Sequence, residues 1–216
     1  MFKRDLNFAK PIQHGLRKGF YIAVEGIDGV GKTTQSNRLA KLLRSRGVKT
    51  VLTGEPTHMA VGRLIKEGLR SGGKYSEEVM ALLFAADRLM HAEKVIKPAL
   101  RNGMTVVSDR SVISSLAYQA VATRRRKWVG WINRYAAKPD VVVYISLKPE
   151  KALKRLRRFS AQRYERLRFL KAVDRMYRLV LRRGWRVVWV DGDGTVEEVG
   201  ERIARGLAKF IPELRR

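Results

Sequence analysis

Short apolar runs alternate with stretches of helical spacing from one end of the chain to the other. The run Phe20-Tyr21-Ile22-Ala23-Val24 is uninterrupted and predicts a buried strand. Four more strand-like runs follow at 49–53, 104–108, 141–147 and 186–190. Leu39, Leu42 and Leu43 share one face of a helix expected over 34–46, with Gly47 at its end. Ser76 can cap a long helix that runs toward Leu100, carries Pro98 near its end and closes at Asn102-Gly103. Leu170, Val173, Tyr177, Val180 and Leu181 form an apolar stripe on a further helix, with arginines on its other faces. Thr195 caps a final helix carrying Val199, Ile203 and Leu207. Five strands alternating with helices predict an α/β fold in which a parallel sheet is covered on both faces. Ligands of such sheets sit at the carboxyl ends of the strands.

Composition narrows this picture. A chain of 216 residues with no repeat or low-complexity linker reads as one domain with a sizeable core. No run of 18 apolar residues is present, so no membrane span or membrane partner is expected. Residues 1–18 are basic and lack the apolar core and cleavage site of a signal peptide, so they read as an N-terminal extension. The absence of cysteine excludes disulfides, thiolate catalysis and zinc–thiolate sites, and His14, His58 and His91 are too scattered for a metal cluster. A cytoplasmic location follows as the expectation. The net charge of +26 is concentrated at 148–186, with 15 Lys/Arg against three acids. Such a surface suits nucleotide phosphates or nucleic acid. Solvated helix faces in an arginine-rich chain explain most of it equally simply. Few aromatics interleave with these cations for base stacking, so nucleic acid is not expected as a specific partner.

Residues 26–33, Gly26-Ile27-Asp28-Gly29-Val30-Gly31-Lys32-Thr33, fit the phosphate-loop pattern G-x-x-x-x-G-K-[ST]. The glycines let successive backbone N–H groups face one anion. Lys32 can reach the β- and γ-phosphates of a nucleotide and the Thr33 hydroxyl can hold Mg²⁺. Strand, glycine loop and helix is the order the motif needs. The run Thr105-Val106-Val107-Ser108-Asp109 ends in an acid that suits the same metal or, as the plainer alternative, caps the next helix. Arg110 beside it favours a phosphate site. Phe84 and Arg88 are four apart and share a helix face that could stack on a base and grip its phosphate; alone, Phe84 reads as core.

The segment Leu82-Leu83-Phe84-Ala85-Ala86-Asp87-Arg88, with His91 and Val95-Ile96-Lys97-Pro98-Ala99-Leu100, resembles the thymidylate kinase family. Asp109-Arg110-Ser111-Val112-Ile113-Ser114-Ser115-Leu116-Ala117-Tyr118-Gln119 is similar to that family's D-R-x-x-x-S-x-x-A-Y-Q pattern, and Pro139-Asp140 and Pro149-Glu150 are family-like. The resemblance covers about residues 19–212. It implies a P-loop three-layer α/β/α sandwich with a five-stranded parallel sheet, a lid, and a homodimer; the lid, at about 154–165, is arginine-rich but departs from the family in being short and lacking its usual glycines. It implies transfer of the ATP γ-phosphate to thymidine monophosphate with Mg²⁺. By the same resemblance, residues 26–33 cradle ATP and Thr34 extends the loop. Asp28 meets the acceptor's 3′-hydroxyl, Phe84 stacks on thymine, and Arg88 bonds to the base or phosphate side. Asp109 organises Mg²⁺ and acceptor, and Arg110 holds the acceptor phosphate. Glu55, Ser114, Tyr118, Gln119 and Tyr164 line the thymidine side, Tyr118 crowding the sugar 2′ position.

Some members of that family carry a basic residue where this chain has Gly29; members without it usually supply arginine from the lid. Arg157, Arg158 and Arg163 are the candidates to neutralise the transferring phosphoryl group. The chain departs from the pattern at Gly54 and Lys66, each in place of an arginine, and at Ser111, in place of an aromatic or histidine. The alternatives are a related nucleoside or nucleoside-monophosphate kinase of different or broad acceptor choice, or a nucleotide-dependent binding protein. A nucleoside kinase would need a base at its 5′-hydroxyl, for which Glu25 is the candidate.

Overall fold

The computed structural model describes residues 19–72, 74–156 and 163–215. The expectations for residues 1–18, for Arg157 and Arg158, for most of the lid, and for the side chains of Arg163 and Tyr164 lie outside the described residues.

Five strands form one all-parallel sheet: β1 (Tyr21–Glu25), β2 (Thr50–Gly54), β3 (Thr105–Asp109), β4 (Val141–Ser146) and β5 (Val187–Asp191). Their spatial order is β2-β3-β1-β4-β5. Each begins within a residue or so of its expected start. β1 is central and wholly buried, and β4 is buried through Ile145. The register sets Val24 beside Asp109 on one side and Val143 on the other. The carboxyl ends of β1 and β3 therefore finish together.

Strand alternation sorts the helices into two layers. Ile22, Val24 and Val107 join Leu39, Ala40 and Leu43 of α1 (Lys32–Ser45) in the main core. Tyr21 and Val106 point the other way, onto Ile96, Ala99 and Leu100. The intervening helices are α2 (Ala60–Ser71), α3 (Glu77–His91), α4 (Lys97–Arg101), α5 (Val112–Ala122) and α6 (Arg126–Ile132). The set closes with α7 (Pro149–Arg155), α8 (Arg163–Leu181) and α9 (Val196–Leu207). Leu170, Val173, Tyr177 and Leu181 are the buried stripe of α8, while Val180 is half-buried. Ser76 caps α3, and Thr195 with Glu198 forms a full capping box on α9.

The long helix expected from Ser76 runs without a break to Arg101 and closes at Asn102, and within it residues Ala92–Ile96 form a π turn between α3 and α4. Pro98 explains it. A proline ring clashes with the carbonyl four residues back and offers no N–H to it, and a widened turn removes both conflicts. Among the described residues no helix is long and apolar enough to cross a membrane.

Candidate active site

The loop between β1 and α1 turns on three glycines with positive φ, at 147° (Gly26), 86° (Gly29) and 95° (Gly31). It brings Lys32 back over itself, and Lys32 Nζ donates to Ile27 O at 2.9 Å and lies 3.8 Å from Asp28 Oδ1. Burial first, and the nearby Arg110 charge second, pull the Lys32 ammonium down to about 8. Next to it the Thr33 hydroxyl donates to Asp109 Oδ2 at 2.5 Å. Asp109 Oδ1 is buried with no hydrogen-bond partner. Asp109 does not cap the next helix; Ser111 does, accepting from Ile113 N. A hydroxyl beside a carboxylate with one orphaned oxygen suits a hard divalent ion such as Mg²⁺, whose other ligands would be phosphate and water. Among the described residues no group of three or more His, Cys, Asp or Glu side chains could hold a metal without such help.

A cavity of about 700 Å³ opens on this loop. Lys32, Thr33 and Asp109 line its floor, the turn Gly194-Thr195-Val196 before α9 forms one wall, and Arg155 and Arg166 reach its edge. Arg155 Nη1 donates to Gly192 O at 3.2 Å. Arg155 falls within the lid expected at about 154–165; Arg166, and the place of the Thr195 turn beside the cavity, carry no local signal in an arginine-rich chain.

Arg110 stands at φ 76°, a left-handed conformation that costs a residue with a side chain about 1–3 kcal/mol. Three bonds hold it there. Its N–H donates to Val24 O, its carbonyl accepts from Ser108 Oγ at 2.7 Å, and its Nη2 donates to Asp28 Oδ1 at 2.5 Å. The strained backbone aims the guanidinium across the loop, 5.1 Å from the Tyr118 ring centroid. Burial pushes the Tyr118 phenol up, with the Asp28 charge adding to it.

Farther out, Glu55 and Arg88 form a fully buried pair, Arg88 Nη2 donating to Glu55 Oε2 at 2.7 Å. Arg88 Nη1 donates to Asn133 Oδ1, Arg88 Nη2 also reaches Ser111 O at 3.4 Å, and Arg88 Nε is buried without a partner. His91 Nδ1 lies 3.3 Å from Glu55 Oε1, and His91 Nε2 lies 2.6 Å from Thr53 Oγ1. Burial alone would raise the Glu55 carboxyl; Arg88 and His91 outweigh it and hold it below the ordinary range. Asp87 anchors the loop after β2 by accepting from Thr57 N and Oγ1. The structure thus joins Asp28, Arg110 and Ser114 in one chain of contacts and Glu55, Arg88 and Ser111 in another. Phe84 and Gln119 are half-buried on α3 and α5. Ser114 is almost fully buried, bonded to Glu25 and Arg110. The roles of His91, Asn133 and Asp87 depend on contacts 30 or more residues apart, which no local pattern signals.

The thymidylate kinase family model matches residues 24–203, which takes in the glycine loop, the Asp-Arg turn and both arginine pairs. The chain belongs to the thymidylate kinase family. It is similar to the probable thymidylate kinase of Pyrococcus abyssi, 38% identical over 193 residues, 86% of this chain and 94% of the relative. It is 46% identical over 145 residues to that of Thermococcus kodakarensis, covering 63% of this chain and 71% of the relative. The probable thymidylate kinase of Pyrobaculum calidifontis matches over its whole length, at 36% identity and 91% of this chain. As a member of the family the protein is a phosphotransferase. Its departures have local reasons. A Cβ at Gly54 would sit 3.0 Å from Asp109 O and 3.2 Å from Asp109 Cβ, so glycine lets β2 run close against the acid. Lys66 is half-buried, with its Nζ 3.2 Å from His58 Nδ1.

Proposed function

We propose that this protein is a thymidylate kinase that transfers the γ-phosphoryl group of ATP to dTMP, giving dTDP. The observation that carries the reading is the junction of a phosphate loop with the strained, carboxylate-clamped Arg110. It joins a donor-phosphate cradle to an acceptor-phosphate cation. Membership of the family supplies the acceptor class.

The acceptor phosphate is already an anion, so no general base is required. The protein's work is alignment and neutralisation. Backbone N–H groups of the loop and Lys32 hold the β- and γ-phosphates, and the Mg²⁺ held by Thr33 and Asp109 would supply charge neutralisation. Arg110 holds the acceptor phosphate, Phe84 faces thymine, and Arg88, Tyr118, Gln119 and Tyr164 shape the nucleoside side. Arg157, Arg158 or Arg163 reaches the transferring group from the lid, with Arg155 and Arg166 already beside the cavity. Exposed Leu64, Leu69, Val79 and Leu82 on α2 and α3 support a homodimer that covers them. The protein works in the cytoplasm.

A nucleoside kinase is less well supported, because the Glu25 carboxylate is fully buried and occupied by three hydroxyls. Chromatography of dTDP formed from dTMP and Mg·ATP tests the site. Asp109→Ala is expected to lower turnover by about 10²–10³-fold. Unchanged turnover in that variant would count against the assignment.

A further inference from the structure

Glu25 takes no part in the transfer, yet it is buried at the end of β1, one residue before the phosphate loop. Burying a carboxylate is costly unless its lone pairs are met. Here three hydroxyls meet them. Ser111 Oγ donates to Oε1 at 2.7 Å; Ser114 Oγ and Tyr177 OH donate to Oε2 at 2.7 and 2.9 Å. These donors come from the cap and first turn of α5 and from the C-terminal third of α8.

The order of protons in this cluster has a consequence for Arg110. Ser114 has one hydroxyl proton. With that proton donated to the Glu25 carboxylate, the Ser114 lone pairs are left to accept: Arg110 Nη1 donates to Ser114 Oγ at 3.3 Å, and Tyr177 OH lies 3.0 Å from the same oxygen. Arg110 Nη2 is held by Asp28. The guanidinium is pinned at both ends, over the Tyr118 ring, and that ring packs edge-on against Tyr177 at 6.0 Å. Ser111, which departs from the family's usual residue, both caps α5 and bonds Glu25. An aromatic ring there could not do both.

We infer that Glu25 is a positioning residue for the acceptor: it orients Ser114, and through it Arg110, and ties them to α8 through Tyr177. The inference rests on the thymidylate kinase reading for the identity of the acceptor. Neutralising Glu25 tests direction as well as size. If Glu25 acted only as a buried negative charge, removing it would tighten an incoming dianion; if it positions Arg110, removing it weakens that dianion.

The test is steady-state kinetics of the full chain, varying dTMP and ATP separately, for wild type, Glu25→Gln, Ser111→Ala and Tyr177→Phe. Glu25→Gln is expected to raise the KM for dTMP about tenfold or more. The two hydroxyl deletions should each raise it about threefold, with kcat and the KM for ATP within threefold of wild type. A lower KM for dTMP, an equal rise for ATP, or a fall in kcat alone would overturn the inference. Should Glu25→Gln fail to fold, an unchanged dTMP KM in both hydroxyl variants overturns it by itself. A wild-type enzyme that prefers another monophosphate defeats the acceptor assignment only, and the same comparison is then read on that acceptor. A wild type that phosphorylates none defeats both.

Discussion

A methyl group added at Gly29 would meet two separate obstacles. The backbone there stands at φ 86°, and a Cβ would lie 2.2 Å from Ala152 O, with Leu156 Cγ at 3.2 Å. The left-handed backbone costs an L-residue about 1–2 kcal/mol. Pushing the α7 backbone away adds about 1–3 kcal/mol, the usual range for overpacking. Gly29→Ala should therefore cost about 2–5 kcal/mol, which in a domain this size lowers the unfolding midpoint by about 4–20 °C. Gly47→Ala is the matched control, since Gly47 has φ 79° with nothing within 4 Å of its Cβ position. Thermal unfolding of the two variants side by side separates backbone strain from contact with α7. Because α7 carries Arg155 to the cavity edge, Gly29→Ala should also weaken ATP. Equal midpoints for the two variants would refute the contact. That contact would also explain why position 29 of the loop carries no side chain.

Three further outcomes are expected. Lys32 stands at about 8 in the free protein, so the folded state holds fewer protons than the unfolded state between pH 8 and the ordinary lysine value, and stability rises with pH there. Phosphates favour the ammonium, so ATP binding near pH 8.5 should take up a proton, seen as a buffer-dependent heat in titration calorimetry; no buffer dependence would contradict it. Arg88→Met leaves Glu55 buried without its main cation and should cost about 3–5 kcal/mol at pH 7. Because the pair holds the Glu55 carboxyl low, that cost should shrink as pH falls below the ordinary glutamate value, and a cost that does not vary with pH in denaturant melts would contradict it. Replacing Arg157, Arg158 and Arg163 together by alanine should lower kcat by about 10³–10⁵-fold, and a triple variant with normal turnover would remove the lid from the mechanism.

Much of the framework was legible in the sequence because it rests on local signals. The five apolar runs became five strands, and Ser76 and Thr195 cap helices as their spacing suggested. The phosphate loop carried its own pattern in Gly26, Gly31, Lys32 and Thr33. The rest depends on tertiary approach. Glu25 read as a possible base because nothing local reveals that Ser111, Ser114 and Tyr177 surround it. Glu55 gave no hint of its pairing with Arg88, 33 positions away. The π turn at Ala92–Ile96 hid behind a helical pattern whose only warning was Pro98.

The most direct measurement is the rate of phosphoryl transfer from Mg·ATP to a panel of acceptors: dTMP, dUMP, dCMP, AMP, GMP and thymidine. The account predicts that dTMP is used at least about tenfold better than dCMP, AMP or GMP, since losing one well-placed contact costs about 1.4 kcal/mol. It predicts that thymidine, which lacks the phosphate proposed for Arg110, is not used. Transfer to thymidine alone, or a preference for AMP or GMP, would contradict it.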